Sequence, residues 1–373
     1  MQINEFKLER YFSLYEFKAK YLLSSSDCES LSLEELLKLS DEEGRKLWDN
    51  LSLGYTETWG HPLLRQEISN LYENIEPEDV LLISPAEGIF IALNTLLNKG
   101  DHVISIFPAY QSLYEIPNSL GCKVSKWQLE LKNGEWIMDL DQLEKEITQD
   151  TKMLIINFPH NPSGFIPDKE DFKRLLEIVK EHNLYLFSDE MYKFSEYDAN
   201  MRLDSPADFY QKAVSLSGLS KSFGLPGLRI GWLISKNREM LEKFIRFKDY
   251  TTICSSAPSE ILSIIALRAK EKILERNLNI IKNNLKIADV FFADYNEIFT
   301  WIPPQAGPIA FPKLNLDNSI DSFCKRLLEK ENVMLLPGSV FSSAGNHFRL
   351  GFGRKNFPEG INRLKDFLKK YIK

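Results

Sequence analysis

Cysteine is scarce: four residues in 373, Cys28, Cys122, Cys254 and Cys324, widely spaced and without a C-x-x-C pair. That spacing gives no disulfide framework and no zinc motif, fits reduced thiols, and leaves no metal site to expect. Long apolar runs are absent too, since none approaches the ~20 residues that a membrane-spanning helix needs. The first residues, M-Q-I-N-E-F-K-L-E-R, lack the apolar core of a signal peptide, so a cytoplasmic protein without membrane contact is expected. Positive charge is in deficit, with 46 Lys and Arg against 53 Asp and Glu and a net charge of -7. Such a balance offers no basic field for nucleic acid. Internal repeats and low-complexity stretches are also missing.

What remains is an ordinary globular composition, 43% hydrophobic and 27% charged, on a chain long enough for two domains of unequal size. From Val80 to Ile234 short apolar runs alternate with amphipathic stretches: V-L-L-I, a helix from Gly88, V-I-S-I, a helix near Tyr110, V-S-K-W, a helix over 140–147, M-L-I-I, a helix over 168–182, L-Y-L-F, and A-V-S-L. This pattern predicts an α/β fold, a mainly parallel sheet with helices on both faces. Helical patterning dominates from Trp232 to about Tyr295. Short strands and helices then mix up to the last residues. Before Asn50 come an aromatic-rich arm (Phe6, Tyr11, Phe12, Tyr15, Phe17) and a short helix after Ser32.

In such sheets ligands gather beyond the carboxyl ends of the strands, and there the sequence places distinctive residues. Ser84-Pro85-Ala86-Glu87-Gly88 opens a helix whose first amides can hold an anion. Phe107-Pro108-Ala109-Tyr110 presents an aromatic ring. N-F-P-H-N-P-S-G, residues 157–164, makes an irregular turn around Asn161, and S-D-E-M-Y puts Asp189 and Tyr192 at the end of another run. The string S-G-L-S-K-S-F-G-L-P-G-L-R-I-G-W, residues 217–232, holds Lys221 among small residues with Arg229 eight positions on. A neighbouring guanidinium in a crowded pocket makes such an amine easier to deprotonate and hence nucleophilic. Taken singly, each residue has a plainer reading: a loop lysine, a strand-end helix cap at Asp189, an asparagine turn, a packed tyrosine.

Together, and in this order, they resemble the fold-type I pyridoxal phosphate enzymes of the class I and II aminotransferase family. The resemblance implies a large domain like that of aspartate aminotransferases, with a seven-stranded type of sheet, and a smaller α+β domain built from both termini. The expected division is 1–50 for the arm and part of the small domain, 51–270 for the large domain and 271–373 for the rest of the small one. It implies the cofactor pyridoxal 5'-phosphate, with Lys221 as the Schiff-base lysine, Asp189 at the ring nitrogen, Asn161 and Tyr192 at the phenolic oxygen, and Tyr110 stacked on the ring. Ser220, Arg229 and the amides of Ala86 and Glu87 are expected at the phosphate, with Ser217 or Ser222 as helpers. The family usually has glycine and a hydroxyl residue where Pro85 and Ala86 stand, and the Glu87 side chain is expected to point away. Arg349, in F-R-L-G-F-G-R, matches the arginine that clamps a substrate α-carboxylate, with Arg354 as the alternative and Asn161 beside it. Tyr55, five residues before Gly60, matches a tyrosine that reaches the phosphate of a neighbouring subunit, which implies a homodimer.

The implied activity is transfer of an amino group between an amino acid and a 2-oxo acid. The strings G-L-S-K-S-F-G-L-P-G-L-R-I-G-W and F-R-L-G-F-G-R also resemble cyclases of the capreomycidine synthase kind, and elimination uses the same apparatus. A non-catalytic sensor is not expected, because regulatory members carry a DNA-binding domain ahead of this fold, for which the stretch before Tyr55 is too short. Trp301, Phe341 and the aromatic arm suggest a partly apolar entrance to the site.

Overall fold

The apolar runs assemble side by side into one eight-stranded sheet in a computed structural model that describes residues 2–343 and 345–372. From one edge to the other its strands are Val80–Ile83, Gly231–Ile234, Ala213–Gly218, Tyr185–Asp189, Thr151–Asn157, His102–Phe107, Lys123–Lys132 and Glu135–Met138. The five strands from Ala213–Gly218 to Lys123–Lys132 run parallel. Gly231–Ile234 is antiparallel to both of its neighbours. The expected seven strands are therefore present, and the eighth is a hairpin extension whose turn uses Asn133 (φ 53°) and Gly134 (φ 85°). An Asn-Gly pair takes up left-handed backbone most readily and matches the twist of a tight hairpin.

Alternate residues of the central strands face opposite layers. Val103, Ile155, Phe187 and Leu216 pack under the helices Pro85–Leu96, Ser112–Leu120 and Arg238–Lys248. Ile104, Leu154 and Leu186 pack on the other side against Leu143 and Leu175, from the helices Leu140–Glu146 and Lys169–Glu181. Both faces are covered, which is why the strands read as unbroken apolar runs. The first of these helices begins at Pro85 rather than Gly88. Proline suits the first helical position because its missing N–H would have no partner there.

The smaller domain draws on both termini. Strand Tyr21–Leu22 pairs in parallel with Val333–Met334, and Ile309–Ala310, Phe348–Gly351 and Leu336–Pro337 form a three-stranded sheet. Phe291, Phe292, Phe299, Phe323, Phe348 and Phe367 fill its core beneath the helices Lys270–Asp294, Ile320–Glu331 and Phe357–Tyr371. The short helices Leu33–Leu37 and Glu42–Asp49 instead lie on Ala257–Arg268, in the cluster that holds Leu82 and Trp232. The glycines of G-F-G have a steric reason. A Cβ at Gly351 would lie 1.9 Å from the Ser25 carbonyl oxygen, and one at Gly353 would lie 2.4 Å from that of Asp27. Only bare backbone lets residues 24–27 cross this strand.

Candidate active site

The strand register sets the site. Asp189 pairs with Asn157 on one side and with Leu216 on the other, so three strand ends stop in line. Asn157 then joins two loops, donating from Nδ2 to the Asp189 carbonyl at 2.8 Å and accepting from the Asn161 N–H at 2.8 Å. His160 ties the same turn to the aromatic loop. Its Nε2 donates to the Pro108 carbonyl at 2.7 Å, and its Nδ1 accepts from the Ser163 hydroxyl at 2.7 Å. Burial lowers the His160 pKa to about 4, so the ring is neutral.

Above these ends lies a cleft of about 520 Å³, within the range of small-molecule sites. Ala86, Tyr110, Asn161, Asp189, Tyr192, Ser220, Lys221, Arg229 and Arg349 all line it, so nine of the eleven residues picked from the sequence come together. Lys221 Nζ donates to Ser26 Oγ at 2.9 Å. Burial lowers its pKa, with Arg349 adding to the effect and Asp27, Glu9 and Asp189 opposing it. The depressing guanidinium is thus that of Arg349. Arg229 was expected in that role, but it is exposed and turned toward Pro226 O (3.2 Å) and Ser84 Oγ (3.4 Å).

Asp189 is 5% exposed, and burial raises its pKa to about 7 even though the Met191 N–H donates to it at 3.1 Å. The Tyr192 hydroxyl is buried near Ser26 without a well-formed hydrogen bond, and the buried Ser220 hydroxyl has no partner. Arg349 is 1% exposed. Its guanidinium donates to the Ser24 carbonyl at 2.9 and 3.3 Å and to Asn161 Oδ1 at 3.2 Å. No carboxylate among the described residues forms an ion pair with it. Arg354 is committed elsewhere, reaching both Asp27 oxygens at 2.9 and 3.0 Å.

Two expected residues stand outside the cleft. Glu87 turns to Thr251 and Thr252, accepting from the Thr252 hydroxyl at 3.0 Å. Tyr55 is 92% exposed and does not line the cleft. Ser217 and Ser222 also lie off the cleft lining; Ser217 donates to the Glu190 carbonyl at 3.3 Å. Pro85 occupies the space beside Gly218 and Gly231, where added Cβ atoms would come within 3.2 and 2.8 Å of its ring. Trp301 is no part of an entrance, because it stacks on Phe292 at 4.3 Å in the small-domain core. Phe341 sits against the Arg349 guanidinium, 5.4 Å from it.

The aromatic arm, expected at an apolar entrance, does reach the cleft through Phe12, but its acidic residues and the strap beside it were not expected there. The helix Lys7–Tyr15 folds over it with Leu8, Glu9, Phe12 and Glu16, and the Ser25-Ser26-Asp27 strap lines its side. The arm is pinned by Asn4, which donates to Glu115 Oε1 at 2.7 Å, and by the Lys7 N–H, which donates to Gln111 Oε1 at 2.9 Å. The G-F-G glycines were the one local signal for the strap.

A family model described as aminotransferase class I and II matches residues 19–363. The chain belongs to that family. Its members are pyridoxal-phosphate-dependent enzymes of the aminotransferase and lyase superfamily. A crystal structure of a PLP-dependent aminotransferase from Streptococcus suis is 33% identical, with each chain fully covered and a TM-score of 0.93. The aspartate aminotransferase of Sulfurisphaera tokodaii is 29% identical over 88% of this chain and 85% of its own. The capreomycidine synthase of Streptomyces vinaceus is 28% identical over 96% of this chain and 91% of its own. Small-molecule substrates and homodimers are typical of the family. Among the described residues no helix is long and apolar enough to cross a membrane, and no cluster of metal-binding side chains occurs.

Proposed function

We propose that this protein is a pyridoxal 5'-phosphate-dependent aminotransferase that moves an amino group between an amino acid and a 2-oxo acid. The observation that carries the reading is the Arg349 guanidinium, buried beside Lys221 with no carboxylate of its own. A planar fork in that position suits the α-carboxylate of an amino acid, whose amine then lies near Lys221. Three further features fit the cofactor. Asp189 is a buried carboxylate without a cationic partner in contact, suited to a protonated ring nitrogen. Among the described residues the Tyr192 and Ser220 hydroxyls have no well-formed hydrogen bond. The first-turn amides of Ala86 and Glu87 lie at a helix N-terminus, and Arg229 bonds Ser84 next to it, which suits a phosphate.

When bound, pyridoxal phosphate supplies a carbonyl that condenses with amines and a ring that withdraws electrons. Lys221 would hold the cofactor covalently between turnovers. Its Nζ would serve as the base that takes the proton from the substrate α-carbon and the acid that delivers one back, a task suited to an amine with a lowered pKa. Asn161 and Tyr192 would hold the phenolic oxygen, Asp189 would keep the ring nitrogen protonated, Arg349 would fix the substrate carboxylate, and Tyr110 would pack on the ring. Leu8 and Phe12 exclude water from above. Exposed Tyr55 is free to serve the phosphate of a neighbouring subunit, so the working unit is a homodimer, in the cytoplasm.

A second reading rests on the likeness to capreomycidine synthase over nearly the whole chain. The test is to incubate the reconstituted enzyme with single amino acids, with and without a 2-oxo acid, and to identify every product. A new amino acid formed in step with a new oxo acid supports transamination. Ammonia released from one substrate, or a cyclic amino acid formed with loss of a side-chain leaving group and no amine transfer, would replace it with a lyase or a cyclase.

A further inference from the structure

The charges lining the cleft do not cancel once the roles above are assigned. Four acids and four cations line the cleft: Arg354 pairs with Asp27, Arg349 is reserved for an α-carboxylate, Arg229 faces the phosphate end, Lys221 is taken up in holding the cofactor and Asp189 serves the ring nitrogen. Two carboxylates remain, Glu9 and Glu16, both on the cleft lining. They stand seven residues apart, two helical turns, with Phe12 between them on the same face of the Lys7–Tyr15 helix. Phe12 packs against Arg349, its ring 5.9 Å from the guanidinium, so this face overlooks the carboxylate clamp. Glu9 accepts from the Tyr110 hydroxyl at 3.3 Å. Glu16 makes no ion pair among the described residues, and it caps the C-terminal end of its helix, where the helix dipole disfavours an anion and no basic residue in the last turn relieves it. Burial raises its pKa, repulsion from Asp27 and Glu9 adds to this, and the more weakly felt charges of Arg354 and Lys221 oppose it. The Ser25 hydroxyl lines the same cleft, 3% exposed and without a hydrogen-bond partner among the described residues. An exposed and a half-buried acid, neither in an ion pair among the described residues, and a buried hydroxyl thus line a cleft already equipped for the carboxylate and amine of an amino acid.

We propose that Glu9 and Glu16 form a cation subsite that selects amino acids with a positively charged side-chain end, an ammonium or a guanidinium. The assignment rests on the aminotransferase reading for the orientation of the substrate. It also accounts for the pinning of the arm by Asn4 and Lys7, since the subsite exists only when this helix lies on the cleft. It disfavours substrates with a distal carboxylate, which the two glutamates would repel and which Arg354, held by Asp27, does not receive.

The test is isothermal titration calorimetry of the full-length protein, reconstituted with pyridoxal phosphate, against matched pairs: L-lysine with L-norleucine, and L-arginine with L-citrulline. Calorimetry reports binding whether or not Lys221 carries the cofactor, and that is checked separately by borohydride reduction. A charge-assisted contact to each carboxylate makes at least one cationic member bind on the order of tenfold tighter than its neutral partner. In Glu9→Gln and Glu16→Gln that ratio falls, toward one in the double variant. Glu16→Lys shifts the preference toward L-glutamate, a gain that a misfolded protein cannot produce. Ratios near one for both pairs in the wild-type protein, or tighter binding of L-glutamate than of L-lysine, would overturn the subsite. A preserved cation preference with no adduct on Lys221 would instead sink the aminotransferase reading and leave the subsite standing.

Discussion

Replacing Asp189 with Asn tests whether the site is built around an absent positive charge. In the protein without cofactor, burial raises the Asp189 pKa from 3.8 to about 7. A carboxylate shifted upward destabilises the fold when ionised, because the unfolded chain releases the proton more readily. The penalty is therefore fully present above about pH 7, shrinks as the pH falls through that value, and vanishes below about pH 4. Its ceiling at pH 8 is about 4 kcal/mol, from 1.36 kcal/mol per pKa unit. For a chain of this length that corresponds to about 5 °C in Tm. Asn keeps the shape and can still accept from the Met191 N–H, so Asp189→Asn without cofactor should melt several degrees higher than wild type at pH 8 and at about the same temperature as wild type at pH 4. With pyridoxal phosphate the order reverses. A protonated ring nitrogen restores the favourable ionised state in wild type, and the variant loses most of the stabilisation that the cofactor confers. Thermal melts of both proteins across pH, with and without cofactor, measure all four values. A variant no more stable than wild type at pH 8, or one that gains as much from the cofactor, would refute the reasoning.

Arg349→Lys retains the charge but not the fork, so KM for the amino acid should rise ~10- to 100-fold while the absorption spectrum of the bound cofactor stays put; steady-state kinetics and spectra check both. His160 is buried and neutral with a pKa of about 4, so wild type loses up to about 3 kcal/mol as the pH falls from 6.5 to 4. His160→Gln, which has no ring to protonate, should flatten that part of the pH–stability curve in denaturant titrations. Gly351→Ala puts a methyl group on the Ser25 carbonyl, should destabilise by ~2 kcal/mol or more, and should loosen the strap that holds Arg349 and Lys221; limited proteolysis near Ser25 reports it.

Local chemistry at the strand ends was legible in the sequence. Asn161, Asp189, Lys221 and Arg349 each follow or belong to a recognisable run, and the parallel sheet brings them into one cleft. The Glu135–Met138 strand had a signal too, the Asn133-Gly134 pair, which the apolar-run pattern passed over because the hairpin lies at an exposed edge. The cleft cover was legible only as an aromatic arm at an apolar entrance, and its polar residues were not. Glu9, Phe12 and Glu16 look like a solvated helix face until the arm folds back, and the contact of Ser24 with Arg349 spans 325 residues of sequence. The source of the lowered Lys221 pKa failed for the same reason: Arg229 is near in sequence, but Arg349 is near in space.

The central claim is covalent and has a direct measurement. Purified protein supplied with pyridoxal phosphate is reduced with borohydride, digested and sequenced by mass spectrometry. The account predicts a pyridoxyl group on the peptide that contains Lys221, absent from Lys221→Ala. An adduct confined to other lysines, or none at all, would contradict it.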